Sequence, residues 1–204
     1  SSSSRGLGDV YKRQLKKLRI FGMLKKIPII MTLSFMAFGG LTLCSPPAPA
    51  DGHKHQDQIK CIADNIYWEA RNQTVRGMIA VGLVTENRVR DTRFPDTYCE
   101  VIKQGPHRPS WRDKSVLIPI KNRCQFSWYC DGKSDVIPHY DKDVYDVATD
   151  IATKIFYGPY LLLGDFTDGA TFYHADYVYP AWAKVKIKTI KVGRHIFYKW
   201  QDRK

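Results

Sequence analysis

The feature that most constrains the fold is a change in hydrophobic periodicity, from helical repeats early in residues 51–204 to strand-like alternation near the end. Apolar residues recur at helical spacing behind Asp57, which can cap a first helix: Ile59, Ile62, Ala63, Ile66 and Ala70. A second helix, ending near Val89, is apolar around most of its circumference and is therefore expected in the middle of the core. A short third helix through Cys99 and a longer fourth helix over residues 144–156 are also predicted.

The last part of the chain alternates instead of repeating every three or four residues. Val185, Ile187, Ile190 and residues 195–198 alternate around Gly193, which predicts a terminal β-hairpin. Residues 105–140, rich in Pro, aromatic and charged residues, show no sustained period and are predicted to form long, structured loops. Helices that come first and strands that come last indicate a single α+β domain, mainly helical with a C-terminal β-hairpin.

This domain follows a segment typical of an export signal. Two lysines, Lys25 and Lys26, precede an uncharged and mostly apolar run over residues 27–43. A small-x-small site, Ala48-Pro-Ala50, comes next, as in a cleavable signal peptide. The same apolar run is long enough to remain as a membrane anchor, and Cys44 is a candidate for lipid attachment, although Leu43 is a poor fit before a lipidated cysteine.

We therefore expect three regions. Residues 23–50 form the signal peptide, and residues 51–204 form the functional domain. Residues 1–22 are expected to be a non-native upstream extension, because a complete signal begins afresh at Met23. An uncleaved leader would be the only contact with a membrane.

The charge distribution argues against a nucleic-acid partner. The chain has a formal net charge of +12, but residues 1–26 carry +7 of it, which leaves +5 for residues 51–204. This mildly basic remainder suits an anionic partner such as a cell wall, and no nucleic-acid-binding motif accompanies it.

Four cysteines follow the leader: Cys61, Cys99, Cys124 and Cys130. An even number in an exported domain predicts two disulfides with three possible pairings. We favour Cys61 with Cys99, which ties one helix to a later segment, and Cys124 with Cys130, which closes a short loop. A zinc site is the alternative, but the spacing lacks the usual paired ligands, so no metal is expected.

Glu69 is the strongest candidate for a catalytic residue. At about 100° per residue it lies close to Ile62 and Ile66 around the first helix, at the border of the apolar stripe. Partial burial and the negative end of the helix dipole should both raise its pKa. A general acid that works near neutral pH needs such a shift. The alternative is an ordinary glutamate paired with Arg71 or Arg76.

Several motifs resemble one family of bacterial enzymes. The first is Asn65-Ile-Tyr-Trp-Glu-Ala-Arg71, and the others follow in order as Val84-Thr-Glu-Asn-Arg-Val89 with Arg93-Phe-Pro-Asp-Thr97, Cys124-Gln-Phe-Ser-Trp128 with Cys130-Asp-Gly132, Phe172-Tyr-His-Ala175, Pro180-Ala-Trp-Ala-Lys184 and Gly193-Arg-His-Ile-Phe-Tyr198. Together they resemble the SleB/CwlJ cell wall hydrolases. The match departs from the commoner pattern at Asn72-Gln73, where the family often has Gly-Glu.

The resemblance implies a compact fold related to lysozymes and resuscitation-promoting factors. It also implies cleavage of the peptidoglycan glycan strand between N-acetylmuramic acid and N-acetylglucosamine, in the manner of a lytic transglycosylase. The signature glutamate, here Glu69, is implied to be the general acid and base. No cofactor is expected, the enzyme is expected to be a monomer, and its location is expected to be the periplasm, the cell wall or the extracellular space.

Two other functions stay open. A true muramidase or glucosaminidase needs a second carboxylate beside Glu69, and Asp131, Asp168 and Asp176 are the candidates. A protein that binds the cell wall without cleaving it is the other possibility, although the complete signature around Glu69 argues against it.

Aromatic and polar residues in the motifs predict a sugar-binding cleft, because rings cover the apolar faces of pyranoses while polar groups fix the hydroxyls. The predicted substrate-binding residues are Gln125, Phe126, Ser127, Trp128, Tyr173, His174 and Trp182. Phe126 and Trp182 are equally compatible with a purely structural role in the core. We expect His174 to be a hydrogen-bonding residue, neither a metal ligand nor the base of a Cys–His pair.

Overall fold

The computed structural model describes residues 51–158 and 164–201, with side chains from Lys54 onward. The expected extension at residues 1–22 and the expected signal peptide at residues 23–50 lie outside the described residues. Within the part that is described, no helix is both long and apolar enough to cross a membrane.

The domain consists of helices followed by a small antiparallel sheet, in agreement with the α+β prediction. The elements in chain order are α1 (Asp51–Ala70), α2 (Val75–Arg90), α3 (Tyr98–Ile102), β1 (His107–Pro109), β2 (Leu117–Pro119), α4 (Lys142–Phe156), β3 (Phe172–Ala175), β4 (Ile187–Val192) and β5 (His195–Lys199). Three single turns of 3-10 helix lie between them, at Ser127–Cys130, His139–Asp141 and Ala181–Val185.

The main core lies between α1, α2 and α4. The five apolar residues that define the repeat of α1 are all buried, and they pack with Met78 and Val81 of α2 and with Ile151 and Ile155 of α4. Fully burying each isoleucine, valine or methionine of this set contributes about 1.5–3 kcal/mol. The helical periodicity therefore identified this core correctly.

Helix α2 is central, as predicted, because its opposite faces pack in different clusters. Met78 and Val81 join the main core, whereas Ala80 and Val84 pack against Phe197 of the sheet. The helices can approach closely at Gly82, where an added Cβ would lie 2.3 Å from Cδ1 of Ile155. A larger residue at this position would force the side chain of Ile155 to shift.

The start of α1 differs from the prediction. The helix begins at Asp51, so Asp57 lies inside it and is not the N-cap. Residues 54–58 have no apolar repeat that would reveal a helix, but the ring of His55 lies 5.1 Å from that of Phe156 in α4. The caps of the next two helices are threonines: Thr74 accepts from the Gly77 amide, and Thr97 accepts from the Glu100 amide.

The predicted terminal hairpin is present, and it belongs to a larger sheet. Strands β4 and β5 pair around Gly193, whose φ of 56° is a left-handed conformation that favours glycine. Strand β3 pairs with the other side of β5, so the order in the sheet is β3-β5-β4. This third strand was not predicted, because its partner lies more than twenty residues further along the chain.

The segment over residues 105–140 also contains more regular structure than predicted. Strands β1 and β2 form a short antiparallel hairpin with Arg108 opposite Ile118. Each strand has only three residues and ends in proline, so neither shows the alternation by which strands are recognised.

Both favoured disulfides are present, Cys61–Cys99 between α1 and α3 and Cys124–Cys130 at the base of the β1–β2 hairpin. Residues 49–204 form one compact unit. Since the core clusters and both disulfides lie within it, this unit has what a domain needs in order to fold alone.

Candidate active site

A cleft of about 710 Å³ opens where the end of α1 meets the sheet and the loop after the β1–β2 hairpin. Its lining includes Glu69 and six of the seven predicted substrate-binding residues. The full lining is Trp68, Glu69, Arg71, Asn72, Gln73, Arg88, Gln125, Phe126, Ser127, Trp128, Asp131, Lys133, Ser134, Asp135, Tyr173, His174, Ala175, Tyr177, Val178, Arg194 and His195.

Glu69 occupies the last turn of α1 and is partly buried. Its Oε2 accepts a hydrogen bond of 2.9 Å from the hydroxyl of Tyr173. Burial raises the pKa of Glu69, while the Tyr173 hydrogen bond and the nearby charge of Arg88 lower it by less. The carboxyl group therefore keeps its proton to a higher pH than an ordinary glutamate does, as its position on the helix predicted.

Tyr173 is placed beside Glu69 by strand β3, where it pairs with Phe197 of β5. Its ring also lies 5.0 Å from that of His195. Burial and the proximity of Glu69 raise the pKa of Tyr173, so its hydroxyl stays protonated and remains a donor toward the carboxyl group. The residue was predicted as a substrate contact, and its hydrogen bond to Glu69 was not foreseen.

Arg88 lies on α2, near Glu69 and Tyr173, with only 4% of its surface exposed. Its Nε donates to the carbonyl of Thr171 at 2.8 Å, and its guanidinium lies 5.0 Å from the ring centre of Phe126 and 5.2 Å from that of Phe94. Burial lowers the pKa of Arg88, but a guanidinium remains charged in proteins. A fixed positive charge is thus held close to Glu69.

One wall of the cleft is aromatic. The rings of Trp68 and Trp128 stack with centres 6.4 Å apart, and Arg71 lies 5.0 Å over Trp68. Trp128 is oriented by a hydrogen bond of 2.9 Å from its Nε1 to Oδ1 of Asn65, which is itself bonded to Thr85. The signature asparagine therefore has a structural role in positioning a cleft tryptophan.

Trp182 is the one predicted substrate-binding residue that is not part of this cleft lining. It lies in a 3-10 turn, with ring centres 5.5 Å from Phe172, 5.6 Å from His174 and 5.5 Å from Tyr198, and it does not line the cleft. The ring of Trp182 is thus packed against three aromatic residues of the sheet. These contacts are compatible with the structural role that the sequence left open for Trp182, which is half-buried.

His174 reaches the cleft edge, but both of its ring nitrogens are occupied. Nδ1 lies 2.9 Å from the carbonyl of Ala175, and Nε2 lies 3.0 Å from the hydroxyl of Tyr198. Within the residues that the structure describes, no cluster of three or more His, Cys, Asp or Glu side chains is arranged to hold a metal ion.

Of the three aspartates considered as second carboxylates, only Asp131 lines the cleft. Asp168 instead lies 2.9 Å from the ammonium group of Lys199, and Asp176 lies 2.8 Å from that of Lys191. A further carboxylate, Asp135, also lines the cleft and was not predicted. Burial and the neighbouring carboxylates raise its pKa.

Several other cleft residues were missed, because they come together only through the fold. Gln73 after α1 accepts a hydrogen bond of 3.2 Å from the amide of Arg194 in the β4–β5 turn, which joins two distant segments at the rim. Three buried nitrogens of the lining have no hydrogen-bond partner among the described residues: Trp68 Nε1, Arg88 Nη1 and His195 Nδ1. No local sequence pattern marks such atoms.

Comparison with known proteins identifies the family. A family model described as cell wall hydrolase matches residues 72–198, which is more than half of the chain and begins just after Glu69. None of the curated proteins matches the sequence.

Two solved structures are similar to this fold. The catalytic domain of the germination-specific lytic transglycosylase SleB from Bacillus anthracis is 25% identical, with a TM-score of 0.51 over 71% of this chain and 95% of that one. The catalytic domain of the Bacillus cereus SleB protein is 23% identical, with a TM-score of 0.51 over 79% of this chain and 100% of that one, which supports the fold alone. With the family match over residues 72–198, the chain belongs to the cell wall hydrolase family.

Proposed function

We propose that this enzyme cleaves peptidoglycan glycan strands between N-acetylmuramic acid and N-acetylglucosamine as a lytic transglycosylase, with Glu69 as the general acid and base. The observation that carries the proposal is the partly buried carboxyl group of Glu69 in the cleft, with a raised pKa and a tyrosine hydroxyl bound to it. The similarity to a SleB catalytic domain described as a lytic transglycosylase supports the same reaction.

In the first step, the protonated Glu69 donates its proton to the oxygen of the glycosidic bond. The bond to the muramic C1 breaks through an oxocarbenium-like state, and the N-acetylglucosamine side leaves with a free hydroxyl. The raised pKa keeps the proton on Glu69 until the substrate is bound. Arg88 and the Tyr173 hydroxyl then stabilise the carboxylate that this transfer leaves.

In the second step, the Glu69 carboxylate takes the proton of the muramic 6-hydroxyl. The oxygen of this hydroxyl attacks C1 of the same sugar, which closes a 1,6-anhydro ring and returns the proton to Glu69. One carboxyl group therefore serves both steps. No water molecule is consumed.

The cleft wall supplies the contacts that a glycan strand needs. The indoles of Trp68 and Trp128 offer apolar surfaces for pyranose faces, and Gln125 and Ser127 offer amide and hydroxyl groups beside them. Substrate binding by these residues is part of the proposal.

Mass spectrometry of murein fragments released by the purified enzyme tests the reaction. Transglycosylation gives fragments that end in 1,6-anhydro-N-acetylmuramic acid. Fragments that end in reducing sugars, heavier by one water molecule, would overturn it in favour of hydrolysis.

Hydrolysis is the second candidate, because Asp131 lines the same cleft as Glu69. A hydrolase would need a second carboxylate of the cleft, Asp131 or Asp135, to activate water or to act as a nucleophile. The Asp131→Asn and Asp135→Asn variants separate the two reactions, since the transglycosylase should keep most of its activity in both and a hydrolase should lose it in one of them. Asp176→Asn, outside this cleft, is the matched control.

The family and the two disulfides indicate an extracytoplasmic protein. Within that space we propose the periplasm or the cell wall, where peptidoglycan is found, and export through the leader over residues 23–50. We also propose that the enzyme acts as a monomer without a cofactor.

A further inference from the structure

The β1–β2 hairpin and its flanks, residues 105–123, form a strongly basic projection that the proposed reaction does not use. This segment, called the basic hairpin here, contains one acid, Asp113, and five cations: Arg108, Arg112, Lys114, Lys121 and Arg123. All five cations are exposed. None of them forms an ion pair within the part of the chain that the structure describes. The positive charge of this surface is therefore available to an external partner.

The same hairpin exposes large apolar side chains at its tip. Trp111 is 76% exposed, Leu117 64% and Val116 48%. Their neighbours in the chain include the cations, and the Arg112 guanidinium lies 4.8 Å from the centre of the Trp111 ring. Exposed aromatic and aliphatic side chains that alternate in the chain with exposed cations favour an interaction surface.

The hairpin is held in its shape from within. The amide of Ser110 donates to the carbonyl of Val116 at 2.8 Å, and Asp113 is engaged by the amide and hydroxyl of Ser115. At the base, the amide of Ile120 donates to the carbonyl of Pro106 at 2.9 Å. The exposure of the tip is thus a feature of an ordered hairpin.

Two kinds of anionic partner are chemically possible, and the apolar tip distinguishes them. A dissolved polyanion would neutralise the cations but would leave Trp111, Val116 and Leu117 in water. The surface of a bilayer with anionic phospholipids accepts the cations and the apolar side chains together. Headgroup phosphates pair with Lys and Arg, and the interface takes up tryptophan and aliphatic side chains.

We propose that the basic hairpin docks the enzyme on the anionic phospholipid surface of a membrane, with Trp111, Val116 and Leu117 inserted at headgroup level. The chain passes from this hairpin directly into the Cys124–Cys130 loop, which supplies the cleft residues Gln125 and Trp128. Docking therefore holds the catalytic cleft close to the membrane face.

The test uses residues 51–204, which form a compact unit without the apolar leader. Binding is measured by co-sedimentation with vesicles of pure phosphatidylcholine and with vesicles that contain about one third phosphatidylglycerol. The unit should bind the anionic vesicles and not the neutral ones. Replacement of two cations, Arg108→Gln with Arg112→Gln, should lower the partition coefficient about thirtyfold.

The apolar part of the proposal has its own variant. Trp111→Ser should lower binding to anionic vesicles about tenfold, because one large side chain no longer leaves the water. The control variant, Lys142→Gln with Lys154→Gln, removes the same charge from α4 and should bind as the wild type does. Each variant should retain its activity on solubilised glycan fragments, which shows that it is folded.

Three results would overturn the proposal. The control pair could weaken binding as much as the hairpin pair, which would mean that only net charge matters. Trp111→Ser could bind vesicles as the wild type does while polyphosphate displaces both, which would identify a polyanion site. Sedimentation velocity could show a dimer that Trp111→Ser abolishes, which would identify a second copy of this chain as the partner.

Discussion

Two glutamates on neighbouring helices each lie near a tyrosine and an arginine, but their carboxyl groups differ in how completely they are bonded. Glu69 in α1 and Glu86 in α2 each accept a hydrogen bond from a tyrosine hydroxyl, that of Tyr173 and that of Tyr98 respectively. An arginine lies near each carboxyl group. Glu86 is bonded directly to Arg90, with Nε 2.5 Å from Oε1, so both of its oxygens have partners.

Glu69 has no such directly bonded cation within the part of the chain that the structure describes. The arginine beside it, Arg88, is bonded to the Thr171 carbonyl, and Tyr173 is the only hydrogen-bond partner of Glu69 among residues 51–158 and 164–201. Glu69 also lines the cleft, whereas Glu86 does not. A buried glutamate with a tyrosine and an arginine nearby is therefore not in itself a catalytic site. What distinguishes Glu69 is an incompletely neutralised carboxyl group that a substrate can reach.

The largest expected difference is in activity. Glu69→Gln should lower the rate of murein cleavage by about a hundredfold or more, because the amide cannot donate the proton. Glu86→Gln should keep a rate close to that of the wild type, per folded protein. Turbidity loss of purified cell walls measures both. A Glu69→Gln variant that still clears walls would remove the proposed role of this residue.

The second difference is in stability, where the Glu86 variant is expected to show the larger effect and the Glu69 variant the smaller one. Glu86→Gln should lower the free energy of unfolding by about 1–3 kcal/mol, because a buried, charge-assisted bond to Arg90 is lost. Glu69→Gln should cause no such loss, since Gln can still accept from Tyr173. Denaturant unfolding at neutral pH gives both values. Equal losses in the two variants would mean that the two carboxyl groups are both structural.

The third difference concerns the tyrosines. Tyr173→Phe should reduce cleavage about tenfold, which corresponds to about 1.4 kcal/mol for the one hydrogen bond to Glu69. Because this bond lowers the pKa of Glu69, its loss should also move the alkaline limb of the activity profile to higher pH. Tyr98→Phe is the matched control and should leave the pH profile in place. An unchanged alkaline limb in Tyr173→Phe would argue that Glu69 is not the titrating acid.

The smallest effect is a pH dependence of stability. The pKa of Glu69 is raised in the folded protein, so the neutral form is favoured by folding. That contribution is fully present below the ordinary pKa of glutamate and is lost as the pH rises through the raised folded value. Glu69→Gln does not ionise, so its stability relative to the wild type should increase with pH over this window. Thermal unfolding at a series of pH values measures the difference in stability between Glu69→Gln and the wild type. If the stability of the variant relative to the wild type fell with rising pH, that would contradict the burial of this carboxyl group.

Sequence patterns predicted those parts of the molecule that depend on local periodicity. The cores of α1, α2 and α4 follow from apolar residues at helical spacing, and the β4–β5 hairpin follows from alternation around Gly193. The position of Glu69 at the border of the apolar stripe was enough to predict the direction of its pKa shift.

The features that were missed depend on contacts between distant segments. Strand β3 pairs with β5 of the β4–β5 hairpin. Gln73 is hydrogen-bonded to Arg194, which lies more than a hundred residues further along the chain. Trp182 was predicted to bind substrate as one of the aromatic residues of the motifs, yet its ring packs 5.5 Å from that of Tyr198 and does not line the cleft. Residue type and spacing do not encode which side of a small sheet a ring will occupy.

The Cys124–Cys130 disulfide encloses four of the cleft residues, 125–128, in a ring of covalent bonds, and Cys61–Cys99 fastens the helix that bears Glu69. Neither bond is expected to persist in a reducing cytosol. We therefore expect residues 125–128 to be held less firmly before oxidation than after it, so the cleft wall that they form should bind glycan best once both disulfides are in place.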